Sequence, residues 1–471
     1  MTKLAELAPE LRRIVDEYRR EDHVPGVALA VAVGDEVIEY ASGVLNLNTG
    51  VEATTDSLFL IGSITKTFTA TLVMQLVEEG LVDLDKPVRD YVPEFSLADR
   101  EAGETVTVRQ VLCHTGGFDG DVFDDFGRGD DALARYVEAL KNRGQVHAPG
   151  RMFSYCNSGY SVLGRLVEHV RQLPSWDVAL RRHLIEPLGL THTASLPEEA
   201  ILFRAAAGHV EGSGDDQAEQ RVVSDWASSR SQGPMGGGLG TTAHELVEWA
   251  WCHLRGGLAK DGTRVLSASS AAAMLEAQVV LPGFDDGFPR KSWGLGWGLL
   301  EYEGASAFGH GGYTDGQLSD LVIVPEAKLV LVVLTNSGAG MRLTNAIRDT
   351  VLKELAGIEV PPVPSPPNPP IEVDPRRCIG RYHTASAYYQ VTQDDAGDLV
   401  GEWGVLDPEE RADVKPRAYR MTGFSPSVLI AGEPPNGVPF RWAFPEIDAD
   451  GRATFLFDGS RVALRVADTA G

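Results

Sequence analysis

Between positions 361 and 370 the chain reads Pro361-Pro362-Val363-Pro364-Ser365-Pro366-Pro367-Asn368-Pro369-Pro370, and seven of these ten residues are proline. Proline fixes φ and has no backbone N–H, so neither a helix nor a paired central strand can run through this stretch. An extended, semi-rigid spacer is what such a composition favours. We therefore divide the chain into a unit at 1–360, a linker at 361–374 and a second unit at 375–471.

The two units have different patterns. The first mixes helices and strands. Val27 to Val33 and Glu36 to Ala41 flank Gly34-Asp35, which signals a hairpin. Leu133 to Leu140, Val162 to Val170 and Ala243 to Leu254 have helical spacing, the last preceded by a capping-box match at Thr242-Ala243-His244-Glu245. Leu4, Leu7, Leu11, Ile14, Val15 and Tyr18 predict an amphipathic helix at the N-terminus. The second unit holds short strand-like runs, among them Gly380 to His383, Leu399 to Trp403 and Val462 to Val466, separated by Gly, Asp, Asn and Pro. That pattern predicts a small antiparallel barrel or sandwich.

Composition narrows the function classes. With 471 residues the chain can bury a sizeable core. Its formal net charge is -25, a field that repels phosphate backbones and anionic membrane surfaces. Nucleic acid and membrane are accordingly not expected partners. No apolar run approaches the roughly eighteen residues needed to span a bilayer, and Met1-Thr2-Lys3-Leu4-Ala5-Glu6-Leu7 has no signal-peptide pattern. Cysteines 113, 156, 252 and 378 lie far apart, without metal-ligand spacing or a compact disulfide framework. We read them as reduced thiols in a cytoplasmic protein. Gly236-Gly237-Gly238-Leu239-Gly240 lacks the strand–helix context of a phosphate-binding loop, so neither metal nor organic cofactor is expected.

Chemistry enters at Ser63-Ile64-Thr65-Lys66, which opens an apolar-periodic run through Leu76. Positions i and i+3 of a helix share a face, which sets Lys66 beside the Ser63 hydroxyl. A serine needs a base to become a nucleophile, and a lysine can serve where desolvation lowers its pKa. Tyr155-Cys156-Asn157 precedes a helical pattern, and His310-Gly311-Gly312-Tyr313 precedes strand-like runs. Singly, each has a structural explanation: a core tyrosine, an N-cap, a turn. Together, in this order, they are hard to ascribe to chance.

Carrying Ser-x-x-Lys, Tyr-x-Asn and His-x-Gly, the chain resembles the serine hydrolases of the penicillin-binding-protein and class C β-lactamase fold from about Val24 to about Leu355. Supporting stretches are Val24-Pro25-Gly26-Val27-Ala28, Leu81 to Val88, Leu112-Cys113-His114-Thr115-Gly116-Gly117 and Trp293-Gly294-Leu295-Gly296-Trp297. The resemblance implies an α+β fold, an antiparallel sheet flanked by helices, followed here by a module similar to lipocalin-like barrels. It also implies roles. Ser63 forms the acyl-enzyme, and Lys66 and Tyr155 share the proton traffic. Asn157 holds Lys66 and a substrate amide. His310 takes the place of a lysine, Gly311 and Gly312 let the backbone approach substrate, and the N–H groups of Ser63 and Tyr313 hold the oxyanion.

A neutral histidine at 310 suits a substrate carboxylate less well than lysine, which weakens a β-lactamase reading. Two branches of the resembling family fit better. In penicillin-binding-protein-type thioesterases, a peptide arrives as a carrier-protein thioester and leaves as a head-to-tail macrocycle. D-stereospecific aminopeptidases, amidases and esterases form the second branch. The cyclase reading implies a basic residue for the carboxylate of the peptide terminus, with Arg461 and then Arg441 as candidates, and makes Glu245 a candidate for meeting the incoming amine. A binding module that kept the fold and lost turnover is a third reading. The intact Ser63, Lys66, Tyr155 and His310 argue against it.

Overall fold

The computed structural model describes residues 2–211, 219–283, 289–362, 364–406, 416–431 and 440–466. Nine antiparallel strands organise the first unit. In chain order they are β1 (Gly26–Val33), β2 (Glu36–Asn46), β3 (Val51–Glu52), β4 (Val279–Val280), β5 (Arg290–Trp293), β6 (Gly298–Tyr302), β7 (Ala305–Thr314), β8 (Gln317–Val324) and β9 (Leu329–Thr335). Across the sheet they run β3-β2-β1-β9-β8-β7-β6-β5-β4. The hairpin predicted at Gly34-Asp35 joins β1 to β2. On its other side β1 pairs with β9, Val27 opposite Thr335 through Val33 opposite Leu329. No local pattern announces that long-range closure.

Both faces of the sheet are covered, so its central strands read as continuous apolar runs. Leu-Val-Leu-Val-Val-Leu in β9 is buried throughout. Ala28, Ala30, Leu321, Val330 and Val332 face one core, and Val27, Leu29, Val322, Leu331 and Val333 face the other. The amphipathic N-terminal segment forms α1 (Lys3–Glu21). A large helical region covers the opposite face and includes α2 (Thr65–Glu78), α3 (Asn157–Arg171) and α4 (Ala243–Leu254). The second core is completed by α5 (Met341–Val351) together with α1. Residues 65 to 76 of α2 are all buried, the mark of a helix enclosed on every side. Phe68 of α2 stacks on Trp249 of α4 at 3.8 Å.

After the proline-rich segment, eight strands close into a barrel in chain order: β10 (Gly380–His383), β11 (Ala387–Gln393), β12 (Leu399–Val405), β13 (Arg417–Ser425), β14 (Val428–Ala431), β15 (Arg441–Ala443), β16 (Phe455–Phe457) and β17 (Val462–Arg465). Closure removes the edges that an open sheet of these strands would present. The barrel is filled by Tyr382, Tyr389, Trp442, Phe444 and Leu456 among others. β13, Arg-Ala-Tyr-Arg-Met-Thr-Gly-Phe-Ser, is the strand that composition hides, because two arginines interrupt its apolar alternation.

Barrel and first unit share an apolar seam. Met152, Phe153, Leu281 and Trp293 from one pack with Val428, Phe455, Phe457 and Val462 from the other. Arg151 pairs with Glu446 across it. The tail is therefore a docked domain, held by its own surface as well as by its spacer.

Candidate active site

Ser63 is delivered by a short strand and a turn. Phe59–Leu60 pairs with Gly240–Thr241, and the chain then makes a 3₁₀ turn at Gly62–Ile64 before α2 begins at Thr65. The serine thus stands at the mouth of a buried helix, half-buried, with Lys66 fully buried one turn on. Lys66 Nζ lies 2.9 Å from Ser63 Oγ and also donates to the Met235 carbonyl. Burial pushes the Lys66 pKa well below its ordinary value; the Arg461 charge adds to this, and Asp121 and Cys156 oppose it. The neutral amine is thereby favoured, and its lone pair can take the serine proton.

Tyr155 and Asn157 come from the entry to α3. The N-cap of that helix is Cys156, whose Sγ accepts from Gly159 N–H at 3.3 Å, and Asn157 is its first residue. The Tyr155 ring centre lies 5.0 Å from Lys66 Nζ. Its hydroxyl is buried and makes no well-formed hydrogen bond among the described residues, although the Ser63 hydroxyl is near enough to offset part of the rise that burial imposes on its pKa. Asn157 departs from the expected role. Its Nδ2 donates to Asp121 Oδ1 at 2.8 Å, and it makes no hydrogen bond to Lys66 among the described residues. The Met235 carbonyl takes the lysine donor that the resemblance assigns to Asn157.

The third motif lies in β7. His310 Nδ1 donates to the Gly311 carbonyl at 2.6 Å, so the neutral ring presents Nε2 as an acceptor, buried and unpartnered among the described residues. Burial, reinforced by the Lys66 and Arg290 charges, pushes the His310 pKa down to about 3. The histidine is therefore uncharged across the physiological range, as the sequence implies. Gly312 is a contact of necessity: a Cβ there would come within 2.0 Å of the Ile61 carbonyl oxygen. At Gly311 a Cβ would find its nearest atom 3.8 Å away, so packing within the protein does not require that glycine.

The segments that carry the expected oxyanion donors lie against each other. Gly62 has φ 51°, and a Cβ on it would sit 2.7 Å from the Tyr313 amide nitrogen. The Tyr313 amide is thus held against the residue that precedes Ser63. Gly62→Ala is expected to lower kcat/KM by about a hundredfold, the scale of one displaced oxyanion donor, with a smaller loss of thermal stability. Steady-state kinetics beside a melting curve check this.

Three further candidates are each engaged within the protein or set apart from these contacts. Glu245 supports its helix: Thr242 Oγ1 accepts the Glu245 N–H at 3.1 Å, one half of a capping box. The carboxylate does not complete the box. It accepts instead from His192 N–H at 2.7 Å and Thr193 Oγ1 at 2.6 Å. Arg461 does reach the site, but its guanidinium is engaged by Asp121, with Nη2 2.8 Å from Oδ1, and by Ser460 Oγ at 3.0 Å. Arg441 is buried in the barrel wall, its guanidinium 5.0 Å from the Phe424 ring.

Sequence reasoning misses two participants. His114 is fully buried and stacks on Tyr155 with ring centres 4.2 Å apart. Its Nδ1 accepts from Cys156 N–H at 3.0 Å, and its carbonyl accepts from Ser154 N–H at 2.9 Å. His114 therefore clamps the Tyr155 segment from beneath. Leu-Cys-His-Thr-Gly-Gly is visible as a stretch, but this role is not. Asp121 has no signal at all, being one acid in an acid-rich loop.

This constellation can be compared with known proteins. Residues 11–355 match the family model described as Beta-lactamase. Penicillin-binding protein 4 of Amycolatopsis lactamdurans is 46% identical over 368 residues, covering 78% of this chain and 95% of that protein. The chain belongs to the beta-lactamase family. Members of this family are serine hydrolases. The crystal structure of SurE superposes with a TM-score of 0.76 at 29% identity, covering 97% of this chain and 99% of that one, barrel included. D-amino acid amidase from Ochrobactrum anthropi SV3, complexed with L-phenylalanine, superposes with a TM-score of 0.61 at 25% identity, over 74% of this chain and 99% of that one. As a family member the chain carries its Ser63–Lys66 pair where a buried helix begins. No helix among the described residues is long and apolar enough to cross a membrane.

Proposed function

We propose that this family member is a serine acyltransferase that takes a peptide from a carrier-protein thioester and releases it as a head-to-tail macrocycle. Ser63 Oγ attacks the thioester carbonyl while its proton passes to neutral Lys66. The tetrahedral oxyanion is held by the Ser63 and Tyr313 N–H groups. Collapse breaks the C–S bond, and the leaving thiolate takes a proton from the Lys66–Tyr155 pair. In the second half the free amine of the same peptide attacks the acyl-Ser63 carbonyl. The amine proton passes to neutral Lys66, directly or with the Tyr155 hydroxyl as a relay, the ester bond breaks, and Ser63 recovers its hydrogen. His310 Nε2 and the Tyr155 hydroxyl, buried and unpartnered among the described residues, are polar atoms able to meet a peptide's own N–H and C=O groups.

The observation that carries the choice of acyl transfer over simple hydrolysis is the second domain at the nucleophile. The Ser460 carbonyl accepts the Tyr155 N–H at 2.9 Å, and Arg461 lies against the Tyr155 ring at 5.5 Å. A barrel seated there narrows access for water and offers walls for a second reactant. Holding an amine near the acyl carbonyl can contribute roughly 7–11 kcal/mol to an intramolecular step. SurE, whose similarity extends over both domains, has also been crystallised with D-Leu, which supports a D-configured residue at the acyl terminus. The similarity to D-amino acid amidase supports the alternative, a D-stereospecific hydrolase using the same acyl-enzyme. Carrier delivery implies action in the cytoplasm. A linear peptide thioester ending in a D-residue should give mainly a product about 18 Da lighter than the free acid by mass spectrometry, water being the difference. Exclusive release of the linear acid would assign the chain to the hydrolases.

A further inference from the structure

The turn between β16 and β17 is held by the side chain of Asp458. Asp458 Oδ1 accepts the N–H groups of Ser460 at 2.8 Å and Arg461 at 2.7 Å, and its Oδ2 accepts from the Tyr389 hydroxyl at 2.6 Å. This turn is fastened to the Tyr155 segment at two further points: Tyr155 N–H donates to the Ser460 carbonyl at 2.9 Å, and Val462 N–H donates to Ser154 Oγ at 3.2 Å. From it Arg461 reaches side-on to Asp121, Nη2 to Oδ1 at 2.8 Å and Nε to Oδ2. Asp121 Oδ1 also accepts Asn157 Nδ2. One carboxylate therefore joins the second motif of the first domain to a cation of the barrel. The Arg461 guanidinium carbon is 5.5 Å and the Lys66 amine 5.0 Å from the centre of the same Tyr155 ring.

We propose that Asp121 and Arg461 are positioning residues, an ion pair across the domain boundary that adjusts the protonation of Lys66. This rests on the acyl-serine reading of the site. The other groups around the amine are poor candidates for that task. Tyr155 and Tyr160 are held protonated by burial, and burial pushes the Cys156 thiol up to about 12. His114 and His310 are held neutral by burial. Buried Asp119, whose carboxyl burial also pushes up, lies 3.8 Å from Arg143. Arg290, half-buried at the start of β5, acts on His310 and Tyr155. Arg461 and Asp121 remain as the charges acting on Lys66, with opposite signs. Arg461 disfavours the ammonium and so favours the base. Asp121 restrains that effect and fixes the guanidinium. The guanidinium is already paired with Asp121 inside the protein, so a substrate carboxylate would have to compete with Asp121 for it.

The sign of the effect is testable on the full chain. Acylation requires neutral Lys66, so the rate at which a fluorophosphonate probe labels Ser63 should fall as pH drops through the lysine pKa. Asp121→Asn keeps an acceptor for Asn157 but removes the negative charge, which lowers that pKa. Its acid limb should move to lower pH by roughly one unit. Arg461→Gln removes the positive charge, so its acid limb should move up by a similar amount. Arg461→Lys should restore the wild-type limb, and the Asp121→Asn, Arg461→Gln double variant should fall near it. A purely structural role would slow all the variants without shifting their limbs in opposite directions. Unshifted limbs, or shifts of one sign, in folded variants would overturn the proposal. A folded wild-type protein that never labels would remove the acyl-serine reading and the ion pair's role with it.

Discussion

Replacing Ser63 with alanine is expected to abolish turnover, a loss of at least about a thousandfold in kcat, because the covalent step has no other nucleophile to use. Lys66 and Tyr155 would remain in place, yet neither can form the ester. Stability should change little, by no more than about 1 kcal/mol, since the Ser63 side chain caps neither the 3₁₀ turn nor α2. Turnover of a peptide thioester, measured beside a thermal melt, checks both parts. A Ser63→Ala protein with the wild-type rate would end the mechanism.

The second large effect concerns proton transfer. Lys66→Ala and Tyr155→Phe should each slow acylation by roughly a hundredfold or more, the scale of a general-base contribution. The double variant should be little worse than the more damaged single one. Lys66 Nζ lies beside Ser63 Oγ and 5.0 Å from the Tyr155 ring centre, which makes the three groups a single proton-transfer unit. Groups that act as a unit are strongly non-additive. Losses that multiply would mean separate pathways. Because Lys66 is wholly buried, its alanine variant also loses side-chain packing. Single-turnover acylation rates, compared only among folded proteins, separate that loss from chemistry.

How far these residues are legible in sequence depends on whether their partners are local. Ser63 and Lys66 are three apart and need only the start of a helix to meet, so the tetrapeptide suffices. The helix Ala243–Leu254 is readable end to end, because its apolar periodicity and the Thr242 cap are local features. The second domain is marked by its prolines, and its strands by alternation, except Arg417–Ser425. The long-range pairings are hidden. β1 meets β9 across some three hundred residues, and Asp121 meets Arg461 across 340. Neither has a sequence signature.

The assignments that moved did so for the same reason. The motif pattern puts Asn157 on Lys66, but the Asn157 Nδ2 donates to the Asp121 carboxylate and Lys66 donates to the Met235 carbonyl, partners far away in sequence. Arg461, a candidate receptor for a peptide terminus, is already paired within the protein. A tethered tail would leave the nucleophile unaffected when removed. The barrel's backbone and side-chain contacts to Tyr155 imply instead that acylation itself depends on the tail.

The central claim is that the chemistry passes through an ester on Ser63. Its most direct test is to mix the full chain with a peptide thioester whose amine is blocked, quench within one turnover, and map the protein by mass spectrometry. The account predicts one added acyl group, on the peptide containing Ser63, absent from Ser63→Ala and accumulating because no internal amine can release it. Turnover of the thioester with Ser63 unmodified at every time point, or an acyl group carried on another residue, would contradict it.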